Sequence, residues 1–244
     1  MTTFSSWMHD VFVSFANVDT NLGRFNGVSR SLRFLRIPAH ASEQFMSGLA
    51  VTVVTLGLST AALTVGGHLS SFLPHTSVRA VVNPPRHHHI APIFLGPLCW
   101  LGAAFLLAFG PHSWRSRATF AIVLGPPGTL LRYYFSKRLN PLRPNLPLGT
   151  LAANTLACLC FAVFALLQRH SGVSSTGCAA LQGALDGFCG SLSTVSTFVV
   201  ELRSLKRGDS YRYFILSWLL GQVFMVVVLG SWLWSGDRGS TCSF

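Results

Sequence analysis

The chain has 244 residues, of which 50% are hydrophobic and only 10% charged, with a formal net charge of +11. A soluble domain carries about a quarter charged residues, so this composition suits a bilayer and excludes an ordinary water-soluble enzyme. In a soluble protein the excess positive charge would point to nucleic acid; here the cationic side chains fall between apolar runs, where they bear on topology instead.

The opening, Met1 to Ala16, is apolar but too short to cross, and Met1 to Phe15 has neither a basic start nor a small-residue cleavage site. It reads as part of a helix and not as a secretory signal. About 20 apolar residues are needed to cross about 30 Å of hydrocarbon as a helix. Runs of that order follow at Phe45 to Gly67, Ile90 to Gly110, Ala118 to Phe135, Leu148 to Leu167 and Phe214 to Trp234. A sixth, Leu181 to Val200, carries Gly, Ser and Thr through its centre. Six crossings and a partial one are expected.

Between the first two runs, residues 17–42 are basic and apolar by turns, suiting either a membrane-surface segment or a solvated connection. His87, His88 and His89 follow Pro84-Pro85 with no carboxylate or Cys beside them, so a solvated loop is expected there and not a metal site. The six Cys show no CxxC pairing, and four fall inside apolar runs. Packing, and not disulfides or metal, is expected of them. If the runs alternate across the membrane, eight cationic side chains reach one face, among them Arg24, Arg36, Arg115, Arg117, Arg169 and Arg238. Nine reach the other, from Arg79 to Arg212, so no orientation is specified. Two oppositely oriented halves produce such a balance.

A repeat is visible. Thr2-Thr3-Phe4-Ser5-Ser6-Trp7 aligns with Ser193-Thr194-Val195-Ser196-Thr197-Phe198, and each string is followed three residues later by an acid, Asp10 or Glu201. One extra run, Ile90 to Gly110, lies between the copies and inverts the second relative to the first. Three strings in the second copy stand out together: Gly125 to Tyr133 (GPPGTLLRY), Pro147 to Asn154 (PLGTLAAN) and Gly187 to Glu201 (GFCGSLSTVSTFVVE). Asn154 is the one amide on its run, with Thr150 and Cys158 a turn to either side, so that face should point into protein or a wet cavity. The Gly and hydroxyl content of the third string predicts a helix broken in mid-membrane. Asp186 and Glu201 are placed at the two ends of that helix, away from the midplane.

In order and content these strings resemble the fluoride channel family, both the small bacterial dimers and the fused eukaryotic exporters. The resemblance implies an all-α membrane protein of two inverted four-helix repeats joined by a linker helix. Residues 1–67 would be the remnant of an incomplete first repeat, 68–117 the linker, and 118–244 the complete second repeat with its broken third helix. It implies passive fluoride export across the plasma membrane of a multi-pass protein, with fluoride and lipid as partners and self-association as one route to a complete pore. A fluoride pathway would be lined by Asn154, Ser196, Thr197 and Phe198, with Val195 where the family has a second phenylalanine, and Phe4 and Trp7 as the first-copy equivalents. A structural sodium ion would be held by backbone carbonyls of Gly190 and Ser193 and, from the first copy, Thr2. Arg132 near the end of its helix either snorkels to headgroups or draws anions to a vestibule. A proton-coupled antiporter would need a carboxylate near the midplane, which the sequence does not place there. An inactive or partner-dependent fragment is the other alternative, and no enzyme motif is present.

Overall fold

The structure is a computed structural model that describes residues 3–16, 41–72, 86–111, 115–170, 172–235 and 242. Those residues form helices α1 (Phe4–Ala16), α2 (Ala41–Phe72), α3 (Arg86–Phe109), α4 (Arg117–Leu139) and α5 (Leu148–Leu167). α6 (Ser175–Gly183) continues through a π-helical turn at Ala184–Cys189 and a last turn at Gly190–Leu192. α7 (Val195–Ser204) and α8 (Arg207–Met225) follow, and α8 is extended by a second π-helical turn, Val226–Gly230, and by Ser231–Trp234. No strand occurs among the described residues. The protein is an all-α, multi-pass membrane protein.

Among the described residues, four stretches are long and apolar enough to span a bilayer: Gln44–Phe72, Leu148–Leu167, Ser175–Ser204 and Arg207–Trp234. Six crossings were expected from the sequence. α3 contributes a shorter apolar stretch, Ile93–Phe109. α4, at 23 residues, is long enough, but two prolines, Arg132 and the terminal Lys137 and Arg138 dilute its apolar content. The histidine tract also differs from expectation, since residues 87–89 lie in the first turns of α3 and not in a loop. Residues 17–40 lie outside the described residues.

α4 stays helical through Pro126 and Pro127, and one of the two carbonyls they free is satisfied from a neighbouring helix. Pro127 has no N–H for the Val123 carbonyl four residues back, and the Trp100 indole of α3 donates to that oxygen at 2.9 Å. Ser191 donates to the Gly125 carbonyl at 2.7 Å. The crossing of α4 with α6 is close enough to require glycine on both sides. A Cβ on Gly128 would strike Ser191 Oγ and the Phe188 carbonyl, and one on Gly187 would strike the Ala121 backbone.

The sixth apolar run is broken as its composition predicts. Ser193 (φ −90°, ψ 155°) and Thr194 (φ −152°, ψ 128°) are extended between the turn ending at Leu192 and α7. Thr194 caps α7, its hydroxyl accepting from Thr197 N–H at 3.3 Å. Thr3 stands in the same relation to α1, accepting from Ser6 N–H at 3.4 Å. The two caps meet: Ser5 N–H donates to Ser193 Oγ at 3.2 Å, and the two hydroxyls lie 3.0 Å apart. Ser193 spends its own proton on the Cys189 carbonyl at 2.9 Å, so Ser5 is the hydroxyl donor of the pair. α1 packs against α2, α5 and α8, which puts the hydroxyl-rich opening in the core.

Candidate functional site

Asn154, 1% exposed on α5, faces the break. Its Oδ1 accepts from Thr194 N–H at 2.8 Å and its Nδ2 donates to the Thr194 carbonyl at 3.3 Å. One side chain thereby replaces both bonds that helical geometry would have given Thr194. Thr150 and Cys158 on the same face are buried, as the spacing predicts. Because Thr194 N–H is spent on Asn154, the Gly190 carbonyl has no helical donor four residues on, and the Ser193 carbonyl is likewise released where Thr197 N–H turns to the cap.

One turn along α7, Phe198 is fully buried among rings. Phe4 meets it edge-on at 5.2 Å between centroids, Tyr213 lies at 5.1 Å, and Trp7 and Phe214 each at 6.4 Å. Phe4 and Trp7 are themselves edge-to-face at 5.4 Å. Three residues further, Glu201 is bracketed by two hydroxyls: Thr150 donates to Oε1 at 2.6 Å and Tyr213 to Oε2 at 2.7 Å. Two buried donors in this region have no hydrogen-bond partner among the described residues, the Trp7 indole N–H and the hydroxyl of Ser217, one turn beyond Tyr213. Burying an unsatisfied donor costs about 1–3 kcal/mol.

Residues 119–231 match the family model described as CrcB-like protein, Camphor Resistance (CrcB). The chain is 32% identical to the "Fluoride-specific ion channel FluC" of Escherichia fergusonii over 119 residues, 48% of this chain and 91% of that protein. The chain belongs to the CrcB-like family of fluoride channels and exporters. Relatives with longer chains also align: "Fluoride export protein 1" of Neurospora crassa is 35% identical over 98% of this chain and 47% of its own length. The protein of the same name from Candida albicans is 38% identical over 78% and 51% respectively. This CrcB-like chain thus spans about half the length of these fungal relatives. No solved structure matches it.

The structure brings together Phe4, Trp7, Asn154, Ser193, Val195 and Phe198, all but Ser193 having been expected along one anion pathway. Ser196 and Thr197, expected to join them, are exposed on the opposite side of α7. Consecutive helical residues are rotated by about 100°, so the hydroxyl run cannot face the rings that Phe198 faces. Arg132 is half-buried on α4 and, among the described residues, no hydrogen bond or ion pair joins it to this cluster. Thr2 lies outside the described residues. Asp186 stands in the π-helical turn, where Gln182 Nε2 donates to it at 3.1 Å and Arg117 pairs with it at 3.2 Å, so it does not end the helix.

Two features of the site escaped sequence reasoning. The Thr150–Glu201–Tyr213 cluster joins three helices, although Glu201 follows Phe198 by three residues and so shares its stripe. The cysteines were expected to be unpaired, yet Cys178 and Cys242 form a disulfide. Cys99, Cys158, Cys160 and Cys189 are free, the latter three buried or half-buried as packing residues.

Proposed function

We propose that this chain conducts fluoride passively out of the cell across the plasma membrane, along a line that runs past Asn154 and Phe198. The observation that carries the reading is the break at Ser193–Thr194 held by Asn154, with an edge-on aromatic cluster packed beside it. The amide keeps one N–H beyond its bond to Thr194 and can donate it to an anion. Ring edges carry the positive part of the aromatic quadrupole, so they attract a small anion without trapping it. The unpartnered Trp7 N–H and Ser217 hydroxyl are further donors that an anion would satisfy. An interior-negative potential favours exit of one negative charge by about 2.3 kcal/mol per 100 mV, which makes passive export sufficient.

In this reading the two capped helices α1 and α7 belong to inverted repeats divided at residues 1–67, 68–117 and 118–244. The matching Thr3 and Thr194 caps and the Ser5–Ser193 contact support that division. A sodium ion at the break would be held by the Gly190 and Ser193 carbonyls, neutral oxygen donors suited to a hard cation. It would supply a fixed positive charge between the units.

The test is fluoride efflux from proteoliposomes, followed with a fluoride electrode, with chloride as the control anion. The parent chain is expected to release fluoride and retain chloride, while Asn154→Asp and Phe198→Ala slow the release. Fluoride permeability no higher than that of protein-free vesicles refutes the proposal.

A further inference from the structure

Counting charges leaves the orientation of this chain open, since the loops carry eight cationic side chains on one face and nine on the other. The disulfide supplies what the charges do not. Cys178 lies in the first turn of α6, and Cys242 comes back to it from beyond the end of α8, with a sequence separation of 64. The tail is also fixed by its backbone, Cys242 N–H donating to the Gln168 carbonyl at 2.9 Å. Both attachments are at one end of the bundle, where α5 ends, α6 begins and the chain leaves Trp234. Gln168 Nε2 donates to Gln182 Oε1 at 3.1 Å there, and the Arg169 guanidinium lies 4.5 Å from the Trp232 ring centroid. The crosslink therefore closes an end cap of α5, α6 and the α8 extension.

A disulfide of this kind persists only where the surroundings are oxidising. Forming it removes two electrons and two protons from a pair of thiols, which pass to the disulfide of an oxidant on the secretory route and reduce it to a dithiol. Cytosolic glutathione runs the exchange backwards. The charge pattern of the helices from α4 onward agrees with this assignment. Arg115, Arg117 and Arg169 lie at the disulfide end, and Arg117 is paired with Asp186. The opposite end carries Lys137, Arg138, Arg143, Arg203, Lys206 and Arg207, the excess expected of cytosolic loops.

We propose that the Cys178–Cys242 disulfide marks the non-cytosolic face, so that loop 140–147 and the turn at Leu205–Lys206 face the cytosol. The inference bears on the proposed function, on which its last step rests. The Thr150–Glu201–Tyr213 cluster lies toward the loop 140–147 end of α5, so the cytosolic approach to the anion path is at that end, where Lys137, Arg138, Arg203, Lys206 and Arg207 concentrate anions.

The test uses right-side-out plasma-membrane vesicles from cells expressing the full chain, a membrane-impermeant polyethylene-glycol maleimide and an impermeant phosphine reductant. The native chain is expected to gain two adducts only after reduction, above the background set by Cys178→Ser/Cys242→Ser. Asn145→Cys, in exposed loop 140–147, is expected to react only once the vesicles are opened. Labelling of Asn145→Cys in sealed vesicles overturns the proposal. So does a native pair that is already reactive before reduction, or reactive only after opening. Fluoride efflux is recorded from the same vesicles. Asymmetric labelling without fluoride permeability keeps the orientation and refutes only the transport reading.

Discussion

Replacing Asn154 by alanine should loosen the break more than any other single polar change in the second unit. The substitution removes the acceptor for Thr194 N–H and the donor to the Thr194 carbonyl, both in a buried setting. Each group left unsatisfied costs about 1–3 kcal/mol, and the two together, about 2–6 kcal/mol, correspond to a fall of roughly 4–24 °C in the thermal midpoint of a chain of this size. Asn154→Asp separates the structural part from the conducting part. It keeps an acceptor for Thr194 N–H, so its midpoint should drop less than that of the alanine variant. Its carboxylate would stand about 4 Å from a passing anion and repel it by ~4 kcal/mol at an effective dielectric of 20, a roughly thousandfold penalty on occupancy. Melting in detergent, followed by fluorescence, and fluoride efflux from vesicles measure the two effects. A midpoint for Asn154→Ala within about 1 °C of the parent would show that this side chain does not hold the break.

Phe198→Ile keeps most of the buried volume and removes the ring edge, so fluoride efflux should fall at least tenfold while the fold survives. An unchanged rate would remove the aromatic cluster from the pathway. Tyr213→Phe withdraws one of the two hydroxyls on Glu201; hydrogen bonds to charged groups are worth about 1.5–3 kcal/mol, and the thermal midpoint should fall accordingly. Gly187→Val forces a side chain into the Ala121 backbone, and separating α4 from α6 should cost about 1–3 kcal/mol with loss of folded yield on size-exclusion chromatography. Trp100→Phe leaves the proline-freed Val123 carbonyl without its donor and should cost about 1 kcal/mol, read as faster proteolysis near α3.

Much of this arrangement is legible in the sequence because it depends on local chemistry. Asn154 had to face inward, since an amide in hydrocarbon needs a partner. The crowding of Gly, Ser and Thr between Gly187 and Thr197 announced a broken helix. A string is not yet a surface. Ser196 and Thr197 belong to the hydroxyl run by composition, but helical rotation turns them away from Phe198. Glu201 does lie in the last turn of α7, as expected, but its partners, Thr150 and Tyr213, come from other helices and are not legible from its own string. The disulfide joins residues 64 apart in sequence, and no local pattern signals such a pair. The proline pair in α4 was visible, but not the indole that makes it tolerable, because Trp100 reaches Val123 from a separate helix.

The paired caps at Thr3 and Thr194 have an electrostatic consequence. Each begins a helix whose peptide dipoles add head to tail, and each such helix start behaves as roughly half a positive elementary charge. Ser5 and Ser193 hold the starts of α1 and α7 against one another, so two of these partial charges converge in the core of the protein. Unlike a lysine, they cannot be titrated away or swing toward the headgroups. The Leu192 end of the preceding helix brings the opposite partial charge and the released Gly190 carbonyl to the same break. The backbone there thus turns N–H groups toward an anion on one side and carbonyls toward a cation on the other.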